Sequence, residues 1–104
     1  MGIDVSKDRL DVYLLPDEQA RSFANDEPGI AELREYLKER RGKLLAVMEA
    51  TNVFWKLAAT HLHAARLNVA VVNPRQVRDF AKATGTLAKT DAIDAKVLAW
   101  FAQR

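Results

Sequence analysis

The sequence of 104 residues contains no cysteine. Disulfides, thiolate nucleophiles and zinc–thiolate sites are thereby excluded, and nothing points to an oxidising compartment. Histidine is scarce as well. The two present, His61 and His63, stand two positions apart on a predicted helix, so they point to different faces and do not chelate one ion. No apolar run approaches the roughly 20 residues of a membrane span, and the opening "MGIDV" lacks the basic and apolar parts of a secretory leader. An intracellular protein without a membrane partner is expected. There is no internal repeat, no low-complexity stretch and no long linker.

Apolar residues make up 49% of the chain, enough for the core of one compact domain. The net charge is only +2, but it is unevenly spread. Residues 1–73 carry 10 basic and 11 acidic side chains, whereas residues 74–104 carry 6 and 3. A basic last third suits a polyanionic partner, although a solvated helix face gives the same count.

Along the chain, Ile3 to Val5 and the alternating Leu10, Val12 and Leu14 flank a polar turn, which predicts a β-hairpin. "QARSFAND" supplies a third, weaker strand. The period then changes: Ile30, Leu33 and Leu37 follow helical spacing, with Gly42 as the stop. "KLLAVMEA" predicts a strand buried on both faces, "NVFWKLAATHLHAARL" an amphipathic helix, and "NVAVVN" another buried strand. Asn73-Pro74 opens a helix over 75–83, with proline in the first turn where a missing amide costs little. Thr84-Gly85-Thr86 breaks it, and Thr90 caps a last helix from Asp91 to Ala102. The resulting order, β-β-β-α-β-α-β-α with its final helical stretch broken in two, is an α/β arrangement with a mixed five-stranded sheet between helices. It resembles the ribonuclease H-like (RuvC-like) fold.

Four acids stand out on this scaffold. Asp4 interrupts the first strand between Ile3 and Val5, where an uncompensated charge is costly. Glu49 closes the fourth strand, and ligand sites in open α/β sheets gather beyond the carboxyl ends of the parallel strands. Asp91 and Asp94, three apart, are expected on one face of the last helix, with side chains about 5–6 Å apart. Each has a plainer reading: the aspartate pair as acids complementing a helix dipole, Glu49 as a strand-end surface residue. Together the four carboxylates make a hard oxygen site suited to Mg2+ or Mn2+. Asp8 and Asp11 read as bystanders, one in the turn and one on the outer face of the hairpin. Ser6 has no histidine base nearby in sequence and reads as a turn residue. Trp55 and Trp100 read as core or interface aromatics.

The blocks "GIDVSKDRLDV", "EAT" and "NPRQVRDFAKATGTLAKTDAIDAKVLA" are similar to the N-terminal DEDD domain of the IS 110 family of insertion-sequence transposases, a RuvC-like domain, over essentially the whole chain. The resemblance implies that Asp4, Glu49, Asp91 and Asp94 are the catalytic, metal-binding set, acting with Mg2+ or Mn2+ in DNA transposition and recombination. It implies DNA, a guide RNA encoded by the element and further copies of the chain, as a dimer or tetramer, as partners, in the cytoplasm of a bacterium or archaeon. It also implies a C-terminal serine-bearing domain that residues 1–104 do not include, so an incomplete enzyme is expected. One departure is visible: after "EAT" the family has glycine and then an aromatic, where this chain has Asn52, Val53 and Phe54. Asparagine is the next best residue for a left-handed turn.

Lys7, Arg75, Gln76, Arg78, Lys82 and Lys89 are candidates for contacting nucleic-acid phosphates, or else members of a solvated surface. Two other functions stay open: an RNA-binding and dimerisation module inactive on its own, and a stand-alone nuclease of the Holliday-junction resolvase type. An actin-like ATPase is disfavoured, because no glycine-rich phosphate loop is present.

Overall fold

The computed structural model describes residues 1–38, 44–51, 53–85 and 93–103. Five strands form one sheet: β1 (Gly2–Val5), β2 (Arg9–Leu14), β3 (Gln19–Ala24), β4 (Leu45–Glu49) and β5 (Asn68–Val72), in the spatial order β3-β2-β1-β4-β5. The first three are an antiparallel meander, and β4 and β5 join it in parallel. Helices α1 (Glu27–Tyr36) and α2 (Trp55–Ala64) lie on one face, and α3 (Pro74–Ala83) and α4 (Ala95–Ala102) on the other. This is the mixed, ribonuclease H-like arrangement expected from the element order. Among the described residues no helix is long and apolar enough to cross a membrane.

Strand alternation divides the apolar residues between two cores. Ile3, Leu10, Val12, Leu14 and Met48 point toward α1 and α2, where they meet Ile30, Leu33 and Leu62. Val47, together with half-buried Ala70 and Val72, points the other way, toward Val77, Ala81, Val97 and Leu98. Asp26 caps α1 by accepting the Gly29 amide at 2.7 Å, and Asn73 caps α3 by accepting the Arg75 amide at 2.8 Å. α3 ends where Gly85 adopts a left-handed φ of 70°, as the glycine predicts.

Three boundaries differ from expectation. α1 ends at Tyr36, well before Gly42, which lies outside the described residues. β5 is not buried on both faces: it is the sheet edge, with Val71 exposed, and α3 packs mainly on α4 rather than over it. A short apolar run carries no periodicity that tells an edge strand from a central one. The last helix begins at Ala95, not at Asp91, and its cap is Asp94; Thr90 and Asp91 lie outside the described residues. Aspartate is as good a cap as threonine, and Asp94 meets a free amide, accepting from Val97 N at 3.0 Å.

Candidate functional site

The position of α4 over the sheet follows from a missing side chain. Gly2 lies under α4, and a Cβ placed there would collide with the Ala95 carbonyl, the Ala99 amide and Leu98 Cβ. Without it, helix and strand backbones touch, and α4 comes down on the first residue of β1. Asp4 is two residues beyond Gly2 and so projects from the same face. The helix thereby carries its capping residue, Asp94, to the strand's acid.

Asp4 is half-buried and its carboxyl is held above the usual aspartate range. Burial is the main cause, followed by the negative charges of Asp11, Glu49 and Asp94, with Arg9 pulling the other way. Of the other acids expected to converge, Glu49 and Asp94 thus make their negative charge felt at Asp4. Glu49 is half-buried, opposite Val72 of β5 in register and on the same face as Val47. Asp91 lies outside the described residues. Among the described residues no group of three or more acidic or histidine side chains is close enough to hold a metal ion. The donors are all carboxylate oxygens, the chemistry a hard divalent cation takes. Oδ1 of Asp94 is engaged by the Val97 amide, leaving its second oxygen for another partner.

Asp11 corrects the sequence reading. It pairs with Asp4 across the hairpin and shares its face, rather than lying outside the site. Its own charge is compensated: Arg9 Nε stands 3.1 Å from Oδ1, and Ser22 Oγ donates to Oδ1 at 2.6 Å. The signal was available in the turn. A closing pair at Ser6 and Arg9 fixes a register in which residues 4 and 11 are opposite. Asp8 is in the turn, as expected. A cleft of about 340 Å³ follows from this arrangement, lined by Asp4, Asp11, Tyr13, Ser22, Asp94 and Lys96 among others.

A family model of DEDD transposases of the IS 110 type, described as transposase, matches residues 1–104. The chain belongs to this family. It is also 29% identical over 106 residues to the pilin gene-inverting proteins of Moraxella lacunata and Moraxella bovis, across 97% of this chain and 33% of each relative. The chain thus spans about a third of the length of these curated relatives.

Within this transposase domain the basic candidates are dispersed. Lys7 is exposed in the β1–β2 turn, and Arg75 and Gln76 are exposed on the first turn of α3, beyond the carboxyl end of β5. Lys82 is exposed seven residues further along α3, about 10 Å away along the axis; Arg78 is half-buried between them. None of these lines the carboxylate cleft, and Lys89 lies outside the described residues. Two cations do line it, Arg21 and Lys96, and neither was singled out from sequence. The remaining candidates take structural roles. Ser6 Oγ donates to the Arg9 carbonyl at 3.1 Å and closes the turn. His61 Nε2 stands 3.6 Å from Glu27 of α1, while His63 is exposed. Trp55 packs against the larger core.

Proposed function

We propose that this domain supplies the metal-dependent phosphoryl-transfer centre of a DNA transposase, with Asp4, Glu49 and Asp94, joined by Asp91, as the carboxylates that hold Mg2+ or Mn2+. The observation that carries the reading is Asp4: a half-buried strand aspartate facing three further acids, in a chain of the DEDD family. A carboxylate cluster of this kind repels itself and is relieved by a divalent cation. Such an ion, when bound, polarises a scissile phosphate and lowers the pKa of an attacking hydroxyl. The residues have separate tasks. Asp4 would hold the ion from β1, Glu49 from the end of the neighbouring parallel strand, and Asp94 from the start of the helix it caps. Arg9, paired with Asp11, offsets part of the repulsion that this fifth carboxylate adds at Asp4.

The names of the Moraxella relatives describe inversion of a gene, a rearrangement that breaks and rejoins DNA, and the same class of reaction is the reading for this chain. DNA is the substrate, a guide RNA encoded by the element is the specificity partner, and a homo-oligomer, dimer or tetramer, is the working form. A C-terminal domain carrying a serine nucleophile completes the activity. Exposed Val53, Leu57 and Val71, in the α2–β5 region of the chain, support the assembly part of this reading.

Calorimetric titration of Mn2+ into the chain tests the centre. Asp4→Asn and Glu49→Gln should each weaken binding at least about tenfold, since even partners behind the ligands are worth that much. Unchanged Mn2+ affinity in both variants would remove these residues from the site.

A further inference from the structure

The carboxylate cleft runs on past Asp4 along β2 and β3, where its wall carries groups that ion binding does not use. Tyr13 alternates onto the α4 side of the sheet with Asp11 and lies in register with Ala20 of β3. β3 is exposed at every position except Phe23, and the small Ala20 leaves a shallow floor beside the Tyr13 ring. From α4, the exposed Lys96 leans over this floor, its Nζ 5.9 Å from the Tyr13 ring centroid and 5.1 Å from that of Trp100. Among the described residues this ammonium pairs with no carboxylate. The other cations nearby are committed: Arg9 to Asp11, and Arg21, which also borders the cleft, through its guanidinium to the Tyr36 ring at 4.7 Å.

A lysine resting on half-buried rings near the surface is held only weakly, so a phosphate displaces it readily from the aromatic faces. Its departure uncovers a tyrosine ring on a flat sheet surface, a few residues from the acids. Both moieties of a nucleotide then have a partner: the ammonium for the phosphodiester and the ring for the base. The cleft volume of about 340 Å³ is at the small end of the range for small-ligand pockets, about 300–1,000 Å³, which suits one nucleotide and not the width of a duplex.

We propose that Lys96, Tyr13 and Trp100 form a station for one unpaired nucleotide of the DNA strand whose neighbouring phosphate lies at the carboxylates. The identity of the ligand rests on the transposase reading; the station itself rests on the ring and ammonium geometry. It holds the strand by swapping the Lys96 cation from ring to phosphate and stacking the base on the ring face that the ammonium leaves.

Fluorescence anisotropy with a short labelled single-stranded DNA, in excess chelator, tests this on the chain as it stands. Lys96→Ala should lower affinity and reduce the slope of log K against log salt by about 0.7, the value for one contact to a single strand, while Lys96→Arg retains both. Tyr13→Ala should weaken binding about tenfold and Tyr13→Phe should not, because only the ring is required. The same duplex sequence should be less sensitive to Tyr13→Ala than the single strand. The station is overturned if wild type does not bind the single strand, or if Lys96→Ala and Tyr13→Ala, folded by circular dichroism, bind it as wild type does. Its failure is separable from that of the transposase centre, which is read by Mn2+ calorimetry on Asp4→Asn and does not depend on these residues.

Discussion

At the scale of single residues, Asp4 concentrates the cost of the site. Its carboxyl is held above the ordinary range by burial and by Asp11, Glu49 and Asp94, so the folded state binds its proton more tightly than the unfolded chain does. The stability tied to that proton is fully present below the unfolded pKa of about 3.9 and is lost as pH rises through the higher folded value. Asp4→Asn removes the penalty. Without divalent cations it should therefore melt higher than wild type at pH 7, with the difference shrinking as pH falls toward 4; Mn2+ should raise the melting temperature of wild type more than that of the variant. Scanning calorimetry at several pH values checks both, and a wild type that outlasts the variant at pH 7 without metal would contradict the electrostatic account. Asp4 was legible in the sequence because a charge between Ile3 and Val5 demands a reason. Asp11 was legible only through the register of the hairpin, which its turn sets, and not through its immediate neighbours. Lys96 and Tyr13 come from opposite ends of the chain and meet only after α4 has packed on β1.

At the scale of elements, α4 begins on a residue with two tasks. Asp94 caps the helix through Oδ1 and the Val97 amide, and its charge reaches Asp4. The two tasks can be separated. Asp94→Ala should cost about 1 kcal/mol in urea unfolding, the usual value of a lost cap, whereas Asp94→Asn keeps the cap and its stability but should bind Mn2+ more weakly. Equal destabilisation by both would deny the cap; full Mn2+ binding by Asp94→Asn would deny the ligand. Most elements were legible as local patterns: the hairpin by alternation, α1 and α3 by period and caps. The start of α4 was not, because "TDAID" offers two caps, Thr90 and Asp94, and local preference does not choose between them. The edge position of β5 was equally hidden, since the sheet order is a property of packing.

At the scale of the whole molecule, the sheet separates two unequal cores. The larger, against α1 and α2, is built from Ile3, Leu10, Leu14, Ile30 and Leu62. The smaller, against α3 and α4, is incomplete at its rim: α3 rests chiefly on α4, and an apolar cavity of about 570 Å³ lies among Leu45, Ala70, Val72, Phe80 and Phe101. Regions with few buried apolar contacts open first. Hydrogen exchange should therefore show α3 amides protected less than those of β1 and β4, by a difference set by local opening rather than global unfolding. Equal protection of α3 and β1 would mean that the two cores unfold as one unit.

The absent side chain at Gly2 has a mechanical consequence for the site. Where two backbones touch, their separation is set by hard contact and not by the volume of intervening side chains. β1 and α4 meet in this way just before Asp4 and just after Asp94, so the spacing of the two aspartates is insulated from changes in either core. Substitutions elsewhere can loosen or tighten this protein while leaving that distance where it is; a methyl group at Gly2 cannot.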